Sequence, residues 1–184
     1  MRRSRNEVNK MKWSDGSEGP VSESFRKRAT PAAFGEAWVG ALLARAGLWT
    51  LHEPFEVDGD KSHGLTYDLT VFKDPDHYYA YGLGITVEVK SRSLQFTNAS
   101  DYPHEKVFCC SANSWDRKWP GSCMTKRDFL IVSMQSGAVV WLPTRSPVST
   151  TRIYDRSRNE TYDARESSKE YLRPLQDFVE YVKA

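Results

Sequence analysis

The chain has 184 residues, 39% of them hydrophobic, and carries 26 basic and 24 acidic side chains for a formal net charge of +2. That is apolar material for one ordinary core but not for two, and no apolar run approaches the length that crosses a bilayer. Three cysteines, with Cys109 and Cys110 adjacent and Cys123 apart, exclude a disulfide framework or a zinc knuckle with two-residue ligand spacing and leave reduced, mostly buried thiols.

Residues 1–28 are rich in Ser, Gly, Asn and charge, with Trp13 and Phe25 their only aromatic groups, and are predicted to remain a flexible arm because they bury too little to offset ordering. The arm holds eight basic and four acidic groups, a net of +4, which leaves 18 basic and 20 acidic groups, or −2, for residues 29–184. A basic arm on a near-neutral domain suits sequence-independent attraction to phosphates, although a merely solvated tail has the same composition. The opening Met1-Arg2-Arg3-Ser4-Arg5 lacks the apolar stretch of a secretory signal, so a cytoplasmic protein with no membrane partner is expected.

Thr30-Pro31 reads as a helix start and Ala46-Gly47 as its stop, so the first helix is predicted over 31–46. Its main apolar stripe is read as Phe34, Trp38, Ala41 and Leu42. Val39, Gly40 and Leu43 make a second side apolar, with Glu36 one turn ahead of them, which implies burial on more than one side. Leu48 to Phe55 is a predicted strand closed by Pro54, followed by a polar loop over 56–64. Leu65 to Phe72 alternates, with Tyr67, Leu69 and Val71 facing one way and Thr66, Asp68 and Thr70 the other. Ile85 to Lys90 alternates again, Val87 and Val89 against Thr86, Glu88 and Lys90. Asp128–Gln135 and Ala138–Leu142 look like a strand pair joined through Ser136-Gly137; a charged loop comes next, and Arg173 to Val182 should close the domain as a helix with Leu175, Phe178, Val179 and Val182 inward. The expected fold is α/β, a central mixed sheet of four or five strands flanked by helices, forming one domain over 29–184.

Two predicted strands thus carry a carboxylate in the middle of a polar face. Phosphodiester cleavage at neutral pH needs a cation to neutralise the transition state and a water of lowered pKa, and Mg²⁺ is held by a few hard oxygens while keeping several waters. Asp68 and Glu88 are sufficient carboxylates if their strands pair. Lys90, two residues after Glu88, projects from the same face, where it can orient or help deprotonate the attacking water, and the carbonyl of Val89 offers a third oxygen.

This arrangement resembles the PD-(D/E)XK nuclease superfamily, whose core is restriction-endonuclease-like. The likeness rests on Asp68 within Thr66-Tyr67-Asp68-Leu69-Thr70-Val71, on Glu88-Val89-Lys90 in the following strand, and on Gly35-Glu36 in the helix before both. It implies that Asp68 and Glu88 are metal ligands, that Lys90 is the catalytic lysine, and that Glu36 is the accessory helix acid found in several branches, including relatives of the Holliday-junction resolvases. The family's Pro before the Asp is Tyr67 here. The resemblance spans residues 30–142, and 88–118 is also similar to small phage-encoded members, with Phe96-Thr97, Asp101-Tyr102-Pro103 and Trp115-Asp116-Arg117-Lys118; it implies a phage or prophage origin and action in the host cytoplasm. The activity implied by the resemblance is that of a DNA endonuclease using Mg²⁺, with Mn²⁺ able to substitute, no small-molecule organic cofactor, and DNA as partner. A two-fold homodimer would suit junction or double-strand cleavage and a monomer nicking or end trimming.

A lone Glu-x-Lys is also what a solvated ion pair on a wet strand looks like; it is the order helix acid, strand acid, Glu-x-Lys that gives it weight. His104 is a candidate for phosphate contact or proton transfer, against a plain surface turn. Lys106, Arg117 and Lys118 are candidate nucleic-acid contacts, with Lys126 and Arg127 beside them, against scattered surface bases. Trp115 and Trp119 could stack on unpaired bases or pack as a lid. Asp58 and Asp60 compete with Asp68, but a loop acid is held less firmly than one on a strand. The rival readings are a catalytically silent protein of the same fold that binds nucleic acid, and a module that binds a host protein through the aromatic loops Tyr78–Tyr81 and Trp115–Trp119.

Overall fold

A computed structural model of the chain describes residues 10–12, 18–20, 23–52, 68–77, 84–111, 128–155 and 159–184. In chain order these form β1 (Lys10–Lys12), β2 (Glu18–Pro20), α1 (Glu23–Arg45), β3 (Trp49–His52), β4 (Leu69–Phe72), β5 (Ile85–Arg92), β6 (Lys106–Ser111), β7 (Asp128–Ser133), β8 (Val139–Leu142), β9 (Ser149–Asp155), β10 (Glu160–Ser168), β11 (Arg173–Pro174) and α2 (Leu175–Lys183). The central sheet is mixed and six-stranded, in the order β11-β8-β7-β5-β4-β3, rather than four- or five-stranded. β5 and β7 are its parallel pair and the other neighbours are antiparallel. Among the described residues no helix is long and apolar enough to cross a membrane.

The sheet is covered on both faces, which explains why β7 is buried along its whole length. Leu130 and Val132 join Val87, Val89, Trp141 and Phe178 beneath α1 and α2. Phe129 and Ile131, pointing the other way, join Phe96, Tyr102, Val107, Val140 and Leu142. α2 turns Phe178 and Val179 fully inward, with Leu175 and Val182 packed beside them, as the amphipathic pattern predicts.

Three expectations need correction. α1 begins at Glu23, not Pro31, because Glu23–Ala29 is a run of mostly good helix formers that carries the helix back past the proline. The lost backbone donor at Pro31 is tolerated, and the Pro31 carbonyl accepts a 2.8 Å hydrogen bond from Ser91 Oγ. The stripe of α1 that meets the core is Gly35, Val39 and Leu43; Val39 and Leu43 are 0% exposed, whereas Phe34 is 53% and Trp38 38% exposed. Trp38 finds another role, donating from Nε1 to the Gly137 carbonyl at 2.8 Å in the β7–β8 turn. Finally, the charged segment after β8 is a hairpin, β9 against β10, which with β6 makes a separate three-stranded antiparallel sheet in the order β6-β10-β9. β9 is rich in Thr, Ile and Tyr, strand formers that its charges disguise.

The end of α1 follows its sequence signal. Gly47 takes a φ of +82°, its N–H bonds the Ala44 carbonyl at 2.9 Å, and the Leu48 N–H reaches the Leu43 carbonyl at 3.0 Å, a Schellman closure that only glycine adopts without strain. From α2, Lys183 Nζ donates to the Ala46 carbonyl at 2.6 Å, placing a cation at the negative end of the α1 dipole.

Candidate active site

Leu69 lies opposite Val87 in the antiparallel β4–β5 register. Asp68 stands one residue before β4, next to this pair. Asp68 is tied there twice: its N–H donates to the Val87 carbonyl at 2.9 Å, and its Oδ2 accepts from the Val89 N–H at 2.6 Å. A residue's N–H and C=O leave an extended strand by the same edge, so the Val89 carbonyl also lies on the Asp68 side. Lys90 Nζ donates to Glu88 Oε1, and Glu88 is 2% exposed. Asp68 thus lies within the electrostatic reach of both Glu88 and Lys90, which are joined to each other.

α1 brings the fourth. A Cβ added to Gly35 would lie 2.0 Å from Ser91 Oγ and 3.7 Å from Val89 Cγ1, so the missing side chain is what lets the helix approach β5 closely. Glu36, the next residue, is carried into the field of the site. Burial raises its pKa, Glu88 raises it further, and Lys90 opposes both. Asp68 responds more strongly: burial first, then the Glu88 carboxylate and more weakly Glu36, push it up to about 6 against the pull of Lys90 and the Val89 N–H. Among the described residues, Lys90 is the cation whose charge opposes the rise at both Glu36 and Asp68.

Among the described residues, no group of three or more His, Cys, Asp or Glu side chains is placed to hold a metal ion. Glu36 contributes to the field at Asp68. His104 is exposed, its ring edge-on to Tyr102 at 6.3 Å, and among the described residues it contacts none of the four. Lys106 belongs to the three-stranded sheet, where Nζ donates to Thr151 Oγ1 at 3.1 Å and lies 3.7 Å from Glu166 Oε2. Arg117, Lys118, Trp115, Trp119, Lys126, Arg127, Asp58, Asp60 and the Tyr78–Tyr81 loop lie outside the described residues.

Sequence reasoning missed two residues of this strand. Ser91 fixes α1 through the Pro31 carbonyl, and Arg92 continues the Glu88, Lys90 face; the alternation that revealed the first two would have pointed to Arg92 had the strand been carried beyond Lys90.

No protein-family model matches the sequence, and no curated protein matches it. Among solved structures, the chain is similar to D212, a nuclease from a fusselovirus, with 8% identity, a TM-score of 0.43, and coverage of 91% of this chain and 96% of that one.

Proposed function

We propose that the chain is a metal-dependent nuclease of the PD-(D/E)XK type that hydrolyses phosphodiester bonds in DNA, acting as an endonuclease with Mg²⁺ or, in its place, Mn²⁺. The observation that supports this reading is the approach of Asp68, which accepts from the Val89 N–H just before β4, to the electrostatic field of Glu88 and Lys90 on β5. The donor set fits a hard divalent cation. Burial first and the Glu88 carboxylate second raise Asp68 to about 6, and an ion between the two carboxylates would relieve the second of these effects.

Asp68, Glu88 and the Val89 carbonyl would hold the ion. When bound, it supplies charge neutralisation for the phosphorane and lowers the pKa of a coordinated water. Lys90, steadied by Glu88, presents its ammonium to the attacking water and the phosphate oxygens, and Glu36 adds negative charge that favours cation capture. The hydrogen bond from the Val89 N–H fixes the Asp68 carboxylate so that this arrangement exists before substrate arrives.

The test is a panel of labelled duplex, nicked, branched and single-stranded DNA incubated with Mg²⁺, Mn²⁺ or chelator. Wild-type protein is expected to cut at least one substrate only when metal is present. Asp68→Ala and Lys90→Ala are each expected to lose cleavage by about 100-fold or more while still binding DNA. Cleavage retained in both variants refutes the assignment.

A further inference from the structure

Arg92 ends β5 on the face that carries Glu88 and Lys90. Its guanidinium lies 5.2 Å from the centre of the Phe108 ring, and Nη2 donates to the Phe108 carbonyl at 2.9 Å. The groups whose charge it feels are Tyr102, Cys109 and Tyr162, none of them a carboxylate, and burial is the main influence on it. Among the described residues its remaining donors bond no protein group, and none is sealed from solvent. A half-buried cation with no acid beside it is costly in the free protein. Lys90, by contrast, is neutralised by Glu88.

We infer that Arg92 is a phosphate-binding residue, receiving a backbone phosphate of the nucleic-acid substrate next to the one at Lys90. Two residues of strand separate the Cα atoms of Lys90 and Arg92 by roughly 6–7 Å, the scale on which phosphates recur along a nucleic-acid strand. A guanidinium already braced on an aromatic face and a carbonyl keeps a fixed fork of donors for a phosphate, and little side-chain freedom remains to be lost on binding. Arg92 thus sets the path of the substrate along β5, towards β6 and the three-stranded sheet.

The inference rests on the nuclease reading, and one set of measurements separates the two. Binding of labelled single-stranded and duplex DNA is measured against salt concentration, in chelator so that nothing is cut, for wild type, Arg92→Met and Arg92→Lys. Arg92→Met is expected to flatten the log–log salt slope by roughly 0.7 to 0.9, the contribution of one phosphate contact. Arg92→Lys should keep the wild-type slope, and the melting temperature of Arg92→Met should stay level or rise, since an unbalanced charge has gone. An unchanged slope with a lowered melting temperature makes Arg92 a packing clamp and overturns the inference while leaving cleavage untouched. A flattened slope in a protein that never cuts DNA keeps the phosphate contact and discards the nuclease. No DNA binding by wild type at low salt overturns both.

Discussion

Asp128 shows what a buried carboxyl does when it has good partners and its shift owes nothing to Glu88 or Lys90. It begins β7 at 2% exposure, accepts from Trp141 Nε1 at 2.7 Å and from the Thr144 N–H at 3.1 Å, and yet its pKa is raised, because burial outweighs both hydrogen bonds. A carboxyl raised on folding binds its proton more tightly in the native state than in the unfolded chain. Its contribution therefore lowers stability as pH climbs from the ordinary value of 3.8 through the raised one, and is constant above. Asp128→Asn keeps an oxygen acceptor and removes the titration. Urea melts between about pH 4 and pH 7 should show a smaller loss of stability with rising pH in the variant than in wild type; parallel curves would mean that the hydrogen bonds fully compensate the burial. Asp68 differs in that the Glu88 and Glu36 carboxylates add to the rise that burial begins, while Lys90 and the Val89 N–H oppose it.

At the scale of elements, what positions the site is the contact between α1 and β5, and it depends on a residue with no side chain. Gly35→Ala would set a methyl against Ser91 Oγ, which could turn away only by giving up its bond to the Pro31 carbonyl. We expect the substitution to destabilise by about 1–3 kcal/mol and to lower cleavage by displacing Glu36. Ser91→Ala leaves its own Cβ 3.4 Å from the new methyl, tight but free of the severe clash. Gly35→Ala with Ser91→Ala should therefore cost less than the two single changes added together, as read by denaturant melts; simple additivity would show that the helix is not held by this approach. The same contact explains why the α1 stripe was misread. Phe34 and Trp38 look like core by size, but the sheet is met by the slimmest line of the helix, Gly35, Val39 and Leu43, and the aromatic pair stacks outside at 6.4 Å. The helix stop, by contrast, was legible, since the Gly47 conformation is a local property.

For the whole molecule, the acids and Lys90 were readable because alternation in two strands is a local pattern and their order along the chain restricts how they can meet. The three-stranded sheet was not, because β6 pairs with β10 across some fifty residues and pairing at that distance leaves no mark in either strand alone. That sheet packs its Val107 and Cys109 with Phe129 and Ile131 of β7 on the side opposite α1, while β5 gives Val87 and Val89 to the core beneath α1. The Glu88 carboxylate adds to the rise in the Asp68 pKa, and such repulsion costs stability when no cation lies between the two. Under the proposed function a divalent cation should then stabilise the folded chain well beyond its effect on total ionic strength. With metal at about 100 times its dissociation constant, linkage gives roughly 2.7 kcal/mol, readable as a rise in melting temperature with Mg²⁺ or Mn²⁺ over chelator. Asp68→Ala should abolish the rise, and because it also removes one of the repelling charges, its metal-free melting temperature should equal or exceed that of metal-free wild type. An equal rise in both proteins would place the cation elsewhere than between Asp68 and Glu88.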